Sequence, residues 1–438
     1  MKKLVILLVV LAVSACDVLD VKPNSSIDAS DAFKDKQGIE KGIRGAYSSF
    51  QNLSYYGRTF SLLPDLAADI LEHPADATAL EYNQVDNNAI LPENGSVLGF
   101  WSSMYDGINV ANNVIAVVPQ MTDMSEAEKN HALGELYFIR ALNHFNLVNL
   151  FGDVPLKLEP TVGTGALDVP RTPRADVISA VIDDLVAAEK GLQAGGSKVR
   201  ASKYAASALL ARVYLYTGQY DLARKKATEV IEDGNYSIID YDAVFKDGSA
   251  ETIFEIDFTD LSRNRIAEYN FPKSLNGRRE VAPTTSILSA YETDDKRYDV
   301  TFKFEGSLAY PVKYPDLAIG EENVKVLRLA EMYLIRAEAE ARLEGDIGAI
   351  QDDINVIRER AGLDVTGANT HADLLMAVEQ ERKVEFAFEG HRWFDLVRTG
   401  RAMAVLPKVT SVNQTLFPIP LDELITNGHP LMVQNDGY

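Results

Sequence analysis

A single cysteine, Cys16, is the whole thiol content of the 438-residue chain, so no disulfide framework and no Cys-x-x-Cys metal pair can form. Basic residues are also in short supply. Lys and Arg number 43 against 64 Asp and Glu, a formal charge of −21. That balance excludes the basic footprint of a nucleic-acid-binding protein and a polybasic grip on an anionic membrane. Only two tryptophans occur, Trp101 and Trp393, and both lie in helical patterns. The six histidines (His73, His131, His144, His371, His391 and His429) show no metal-ligand spacing. No nucleophile elbow, phosphate loop or zinc signature is present, and Gly-Thr-Gly at 163–165 precedes no helix with dinucleotide spacing. No cofactor is expected. The longest apolar run near the start, Leu4–Val13, is too short to span a bilayer.

That run has a different use. Lys2 and Lys3 give it a positive start, and Val13-Ser14-Ala15-Cys16 follows it, the three-part pattern of a bacterial signal peptide. Residues 1–15 are therefore expected to be a signal peptide; an ordinary secretory signal with an incidental cysteine is the alternative. Residues 16–30, polar and carrying Pro23-Asn24-Ser25-Ser26, read as a tether to the body of the protein.

From residue 31 onward the composition is globular, 46% hydrophobic and 24% charged. Ile39, Ile43, Ala46, Tyr47 and Phe50 mark a first helix, and Trp101, Tyr105, Ile108, Asn112 and Ile115 a second. Ser125 with Glu128 forms a capping box that opens a long helix ending at Gly152. Thr172-Pro173 starts another. Residues 203–231 read as a tetratricopeptide-like hairpin: Ala211, Ala223 and Ala227 let two helices approach, and Tyr214 fills the gap between them. Residues 326–343 and 347–361 repeat the design. TIFEIDF (252–258) alternates like a strand. Two stretches, 63–99 and 257–320, lack a helical period. The chain thus reads as mostly α, a helical-hairpin scaffold with long irregular loop insertions. It forms one domain over 31–438, with a helical N-terminal part (31–235) and a loop-rich part ending in further helices (236–438). Scaffolds of this kind serve binding more often than chemistry, and binding residues collect on the loops.

The densest stretch is FAFEGHRWFDLVRTGR (386–401), where Gly390 interrupts a helix. Glu381, Arg382, Glu385, Glu389, Arg392, Asp395 and Arg398 crowd around large aromatics there. Charges buried beside such rings must be paired, so the pattern predicts a structural ion-pair network; a catalytic carboxylate cluster is the competing reading.

This segment resembles the C-terminal signature of the SusD/RagB family of surface lipoproteins. So do VLRLAEMYLIRAEAEARL (326–343), INVIRERAGL (354–363), LFPIP (416–420) and VQNDGY (433–438). WSSMYDGINVANNVI (101–115), RALNHFNLVNLFGDVPL (140–156) and the 203–231 hairpin are similar to its N-terminal part. The resemblance implies lipidation of Cys16, attachment to the outer membrane facing the cell exterior, and no enzymatic activity. It further implies capture of an oligosaccharide for a SusC-like TonB-dependent transporter. A peptide-capturing lid of the RagB type, favoured for basic peptides by the acidic surface, is the alternative, and a surface hydrolase a more distant one.

A glycan site needs aromatic faces for sugar C–H surfaces, with Asp, Asn and Arg gripping the hydroxyls. With both tryptophans expected in the core, the aromatic faces must be tyrosines of the two insertions. Tyr82 beside Asn83, Tyr269, Tyr310 and Tyr314 are the candidates, with Asp69, Arg263, Asn264 and Arg278 as polar partners. Tyr82-Asn83-Gln84 places a ring next to two amides and is the leading expectation.

Overall fold

A computed structural model describes residues 32–163 and 168–438. The signal peptide, Cys16, the tether and Thr164-Gly165 lie outside the described residues.

The N-terminal half is a stack of long helices. Asp35 accepts the Gly38 N–H and caps α1 (Lys36–Ser48), which buries Ile39, Ile43 and Ala46 as its stripe predicts. Helix α2 (Thr59–Ala67) and helix α3 (Leu80–Asp86) follow. Asn94 caps α4 (Gly95–Val117). The Ser125–Glu128 capping box opens α5 (Glu126–Phe151), and Gly152 ends it at φ 74°. From Leu136 to Phe151 this helix buries nearly every side chain, because α1, α4 and α6 (Arg174–Gly191) surround it. Arg140 of α5 makes two hydrogen bonds of 2.8 and 2.7 Å to Asp184 of α6, which neutralises a buried charge on each side. The predicted hairpin is α7 (Lys203–Tyr216) with α8 (Tyr220–Asp233), and Ala211, Ala223 and Ala227 are fully buried at its seam.

The second hairpin is α9 (Leu329–Arg342) with α10 (Ile347–Arg360), locked by Arg336 to Asp353 at 2.7 and 2.8 Å. Helix α11 (His371–Glu385) closes a small satellite core with it through Leu374 and Val378. A second small cluster gathers Ala330, Leu334, Ile357 and Phe386, and the main core is a continuous cluster drawing on residues from Ile39 to Met432. Between α11 and α12 (Arg392–Arg398) the chain turns through Phe388 at φ 65° and Gly390 at φ 76°. A Cβ on Gly390 would sit 3.1 Å from the Phe60 carbonyl oxygen, so the turn there is both left-handed and tight. Trp393 is fully buried and Trp101 nearly so, as expected of core residues.

Among the described residues six short strands complete the fold: β1 (Leu71–Glu72), β2 (Thr252–Ile256), β3 (Ala282–Pro283), β4 (Phe302–Glu305), β5 (Leu308–Pro311) and β6 (Val324–Arg328). They pair antiparallel as β1–β3, β2–β6 and β4–β5. The expected strand at 252–258 exists, but all five residues of β2 are buried, so it does not present alternate faces to core and solvent.

The two insertions are more regular than their sequences suggest. All nine residues of α2 are buried, so no amphipathic stripe marks it, and Pro64 sits inside it. Helix α3 has only seven residues, too few to show a period. The second insertion folds into a short helix at Ile266–Asn270 and the β4–β5 hairpin, with Gly306 at φ 62° in its turn.

Candidate ligand surface

The two insertions lie some two hundred residues apart in sequence and are fastened to each other. In the β1–β3 ladder Leu71 faces Pro283 and Glu72 faces Ala282. At one end of it the Glu280 carboxylate accepts the Thr78 N–H at 2.8 Å, the Ala79 N–H at 2.9 Å and the Thr78 hydroxyl at 2.9 Å. Burial raises the pKa of Glu280, but these donors and Arg278 more than offset it and hold the group below the usual carboxylate range. Asp76 pairs with Arg279 at 2.5 Å and Lys273 at 3.4 Å across the same seam.

Tyr269 is the centre of this surface. Its ring lies 5.7 Å from the Tyr82 ring, while the guanidiniums of Arg58 and Arg278 sit over it at 4.2 and 4.8 Å. Cation–π contact and the Glu280 pair together orient Arg278, yet its side chain stays 45% exposed. Asn83, one residue beyond Tyr82 on α3, also faces solvent. The structure therefore joins Tyr82, Asn83, Tyr269 and Arg278 at one place, and adds Arg58. Nothing in the sequence around Arg58 pointed to that role.

The tyrosines need correction as platforms. Tyr82 is only 2% exposed, and burial pushes its hydroxyl up to about 12. It supports Tyr269 from below and offers no face to solvent, because the loop thought irregular is a helix packed on the core. Tyr269 itself is nearly covered by its two guanidiniums. Tyr310 is buried against Phe271 with ring centres 4.8 Å apart. Tyr314 is a core residue whose hydroxyl accepts the Lys325 N–H at 3.0 Å. Asn264 is buried and spends its side chain on the Glu322 carbonyl at 2.8 Å and the Ile266 N–H at 3.2 Å. Arg263 is exposed, and its Cβ lies beside Gly320. Asp69 belongs to the other end of the β1–β3 ladder, where Lys383 and Arg392 each reach it at 2.8 Å. What the surface presents to solvent is thus nitrogen-rich, guanidinium and amide, with aromatic rings beneath.

The charged C-terminal segment forms the ion-pair network that its pattern predicts. Glu385, fully buried, meets Arg360 at 2.6 Å, Arg328 at 3.0 Å and Arg297 at 3.3 Å. Glu251, Asp295, Glu381 and Glu389 close the network around the same arginines and Lys313. Burial raises the carboxyl pKa of Glu385, but the three guanidiniums overcome that and hold it well below the usual range. Arg382 and Arg398 share Asp395 at 2.8 and 2.9 Å. A carboxylate held ionised by several cations is a poor proton donor, and the arrangement is that of a structural lock.

Residues 309–438 match the family model described as "SusD family", and residues 17–215 match one described as "Starch-binding associating with outer membrane". The chain belongs to the SusD/RagB family. SusD-like protein P2 of Formosa agariphila is 26% identical over 505 residues, covering 100% of this chain and 99% of that protein. The starch-binding protein SusD of Bacteroides thetaiotaomicron is 31% identical over 148 residues, 31% of this chain and 24% of that one. Among solved structures, a SusD-superfamily protein from Bacteroides vulgatus superposes with a TM-score of 0.85 at 22% identity, covering 93% of this chain and 100% of that one. A laminarin-binding SusD-like protein does so with a TM-score of 0.83 at 25% identity, covering 92% of this chain and 100% of that one. The mostly helical scaffold with loop insertions is therefore the SusD fold.

Proposed function

We propose that this protein captures glycan outside the outer membrane, at the surface where its two insertions meet, and passes it to a SusC-like TonB-dependent transporter. The observation that carries the reading is the convergence on Tyr269: loops from distant parts of a SusD-family chain are fastened into one rigid, nitrogen-rich surface. Rigid loops reduce the ordering cost of binding, and Arg278 and Asn83 supply donors for hydroxyl groups. The laminarin-binding neighbour and the starch-binding family description support a glycan over a peptide ligand. Lipidation at Cys16 would hold the protein at the membrane, since several acyl chains make an anchor that does not readily leave it.

Arg278→Ala is the direct test, because its exposed head can be removed without opening the core. Calorimetric titration with laminarin and then a polysaccharide panel should show a loss of about 1.5 kcal/mol, roughly tenfold, for the bound member of the panel. An unchanged affinity would move the site elsewhere. Binding of basic peptides with no response to any polysaccharide would replace the glycan reading by peptide capture. Co-purification with the neighbouring transporter tests the hand-over.

A further inference from the structure

At the opposite end of the β1–β3 ladder from Glu280 lies a groove of about 680 Å³, between α11 and the segment 401–408. Its character is unlike that of the chain as a whole. Four cations line it, Lys383, Arg392, Arg401 and Lys408, in a protein of net charge −21. Three carboxylates serve these four. Asp69 is shared by Lys383 and Arg392, Glu379 by Arg392 at 3.3 Å and Arg401 at 2.6 Å, and Lys408 takes Asp86 at 3.2 Å. Lys383 also donates to the Ser286 hydroxyl at 2.8 Å, so two of its three N–H groups are engaged. Arg392 and Arg401 have more to offer. Arg392 spends Nε on Asp69 and Nη1 on Glu379, and its Nη2 has no hydrogen bond among the described residues. Arg401 approaches Glu379 with Nε at 2.6 Å, none of its three guanidinium nitrogens has a hydrogen bond among the described residues, and its side chain is 38% exposed. The groove thus holds one positive charge more than its carboxylates neutralise, with free guanidinium edges on either side of Glu379. Met376, Val405 and Pro407 line it with apolar surface next to those edges.

We propose that this groove is a second saccharide subsite, selective for acidic sugars, in which the free nitrogens of Arg392 and Arg401 take the carboxylate of a uronate or the sulfate ester of a sulfated sugar. Planar guanidiniums match both oxyanions in geometry, and the apolar wall suits the C–H face of the ring that carries them. Glu379 does not repel the ligand, because two guanidiniums already neutralise it. The inference rests on the glycan-binding reading given above and adds a preference for the charge of the sugar.

Calorimetry on the full chain and on Arg401→Gln, with three probes of equal length, tests it: oligogalacturonate, a sulfated galacto-oligosaccharide and a neutral laminari-oligosaccharide. At low ionic strength one or both acidic probes should bind at least tenfold tighter than the neutral one, and R401Q should reduce that gap roughly tenfold while the protein keeps its melting temperature. Adding 0.5 M NaCl should narrow the gap in the wild type. Preference for the galacturonate alone identifies a carboxylate ligand, and for the sulfated probe alone a sulfate ester. Equal affinities for acidic and neutral probes, or a gap that survives R401Q, overturn the acidic subsite and leave the glycan-binding reading standing. A chain that binds none of the saccharides overturns both.

Discussion

Glu385→Gln removes one charge and almost no volume from the centre of the C-terminal network, so its effect isolates the electrostatics. The wild-type carboxylate serves three guanidiniums at 2.6, 3.0 and 3.3 Å. None of the three would be left alone by the substitution. Arg297 keeps Asp295 and Glu381, Arg328 keeps Glu251 and Glu389, and Arg360 keeps Glu251. Breaking a buried ion pair costs about 3–5 kcal/mol, and the remaining partners place this case near the lower end, at about 3 kcal/mol. A domain of roughly 400 residues unfolds with an entropy near 0.8 kcal/mol per kelvin, so the melting temperature should fall by about 4 °C. The pH dependence gives a second handle. The folded-state carboxyl is held below its usual range, so its contribution is complete above the unfolded value, near pH 4.3, and is lost as pH falls through the lower folded value. Scanning calorimetry of wild type and E385Q should therefore show a gap that is constant from pH 6 to 8 and shrinks below about pH 4. A variant as stable as wild type at pH 7 would refute the reasoning, because it would mean that the desolvation of Glu385 cancels its pairing.

Trp393 is fully buried between helix and C-terminal segment, so Trp393→Ala should cost about 3–5 kcal/mol in chemical denaturation; loss of ligand affinity without loss of stability would make it a binding residue after all. The buried Tyr82 hydroxyl makes no hydrogen bond of good geometry among the described residues, although Arg58 and Thr59 lie beside it, so Tyr82→Phe should change the melting temperature little, whereas Tyr82→Ala should lower it by removing the support of Tyr269. A drop with the phenylalanine variant would show that the hydroxyl has a partner. Cys16→Ala should move the protein from the membrane fraction to the soluble one; a variant that still pellets with outer membranes in high salt would refute lipidation at that residue.

The helical frame was legible because its signals are local. The Ser125–Glu128 capping box, the Ala seam of α7 and α8 and the stripe of α1 each depend on residues a few positions apart. The charged segment around Glu385 was also readable as paired, but not with whom: Arg297, Arg328 and Arg360 come from other elements, and no spacing in the sequence connects them. The candidate surface was half legible. That Tyr269 and Arg278 lie in an irregular insertion could be read from composition. That Tyr82 points inward could not, because a helix buried all round or only seven residues long has no period to betray its inner face. The partnership of Arg58 with Tyr269 is a contact between the segments before α2 and after β2, which only the fold establishes.

The fastening of the two insertions has a consequence for the order in which this protein comes into being. Thr78 and Glu280 are 202 residues apart, and Asp69 and Lys383 are 314 apart. Closing loops of that size carries an entropic cost before any contact made across them is gained, and such contacts form slowly. The N-terminal helices, whose partners are near neighbours in the chain, can consolidate before the remainder has been synthesised. The Tyr269 surface and the Arg401 groove cannot, since both draw on segments from opposite halves. A chain stalled before α11 would hold its first helices and the segments of the Tyr269 surface but lack the Arg401 groove, so that groove arrives last, as a sign that the whole molecule has folded.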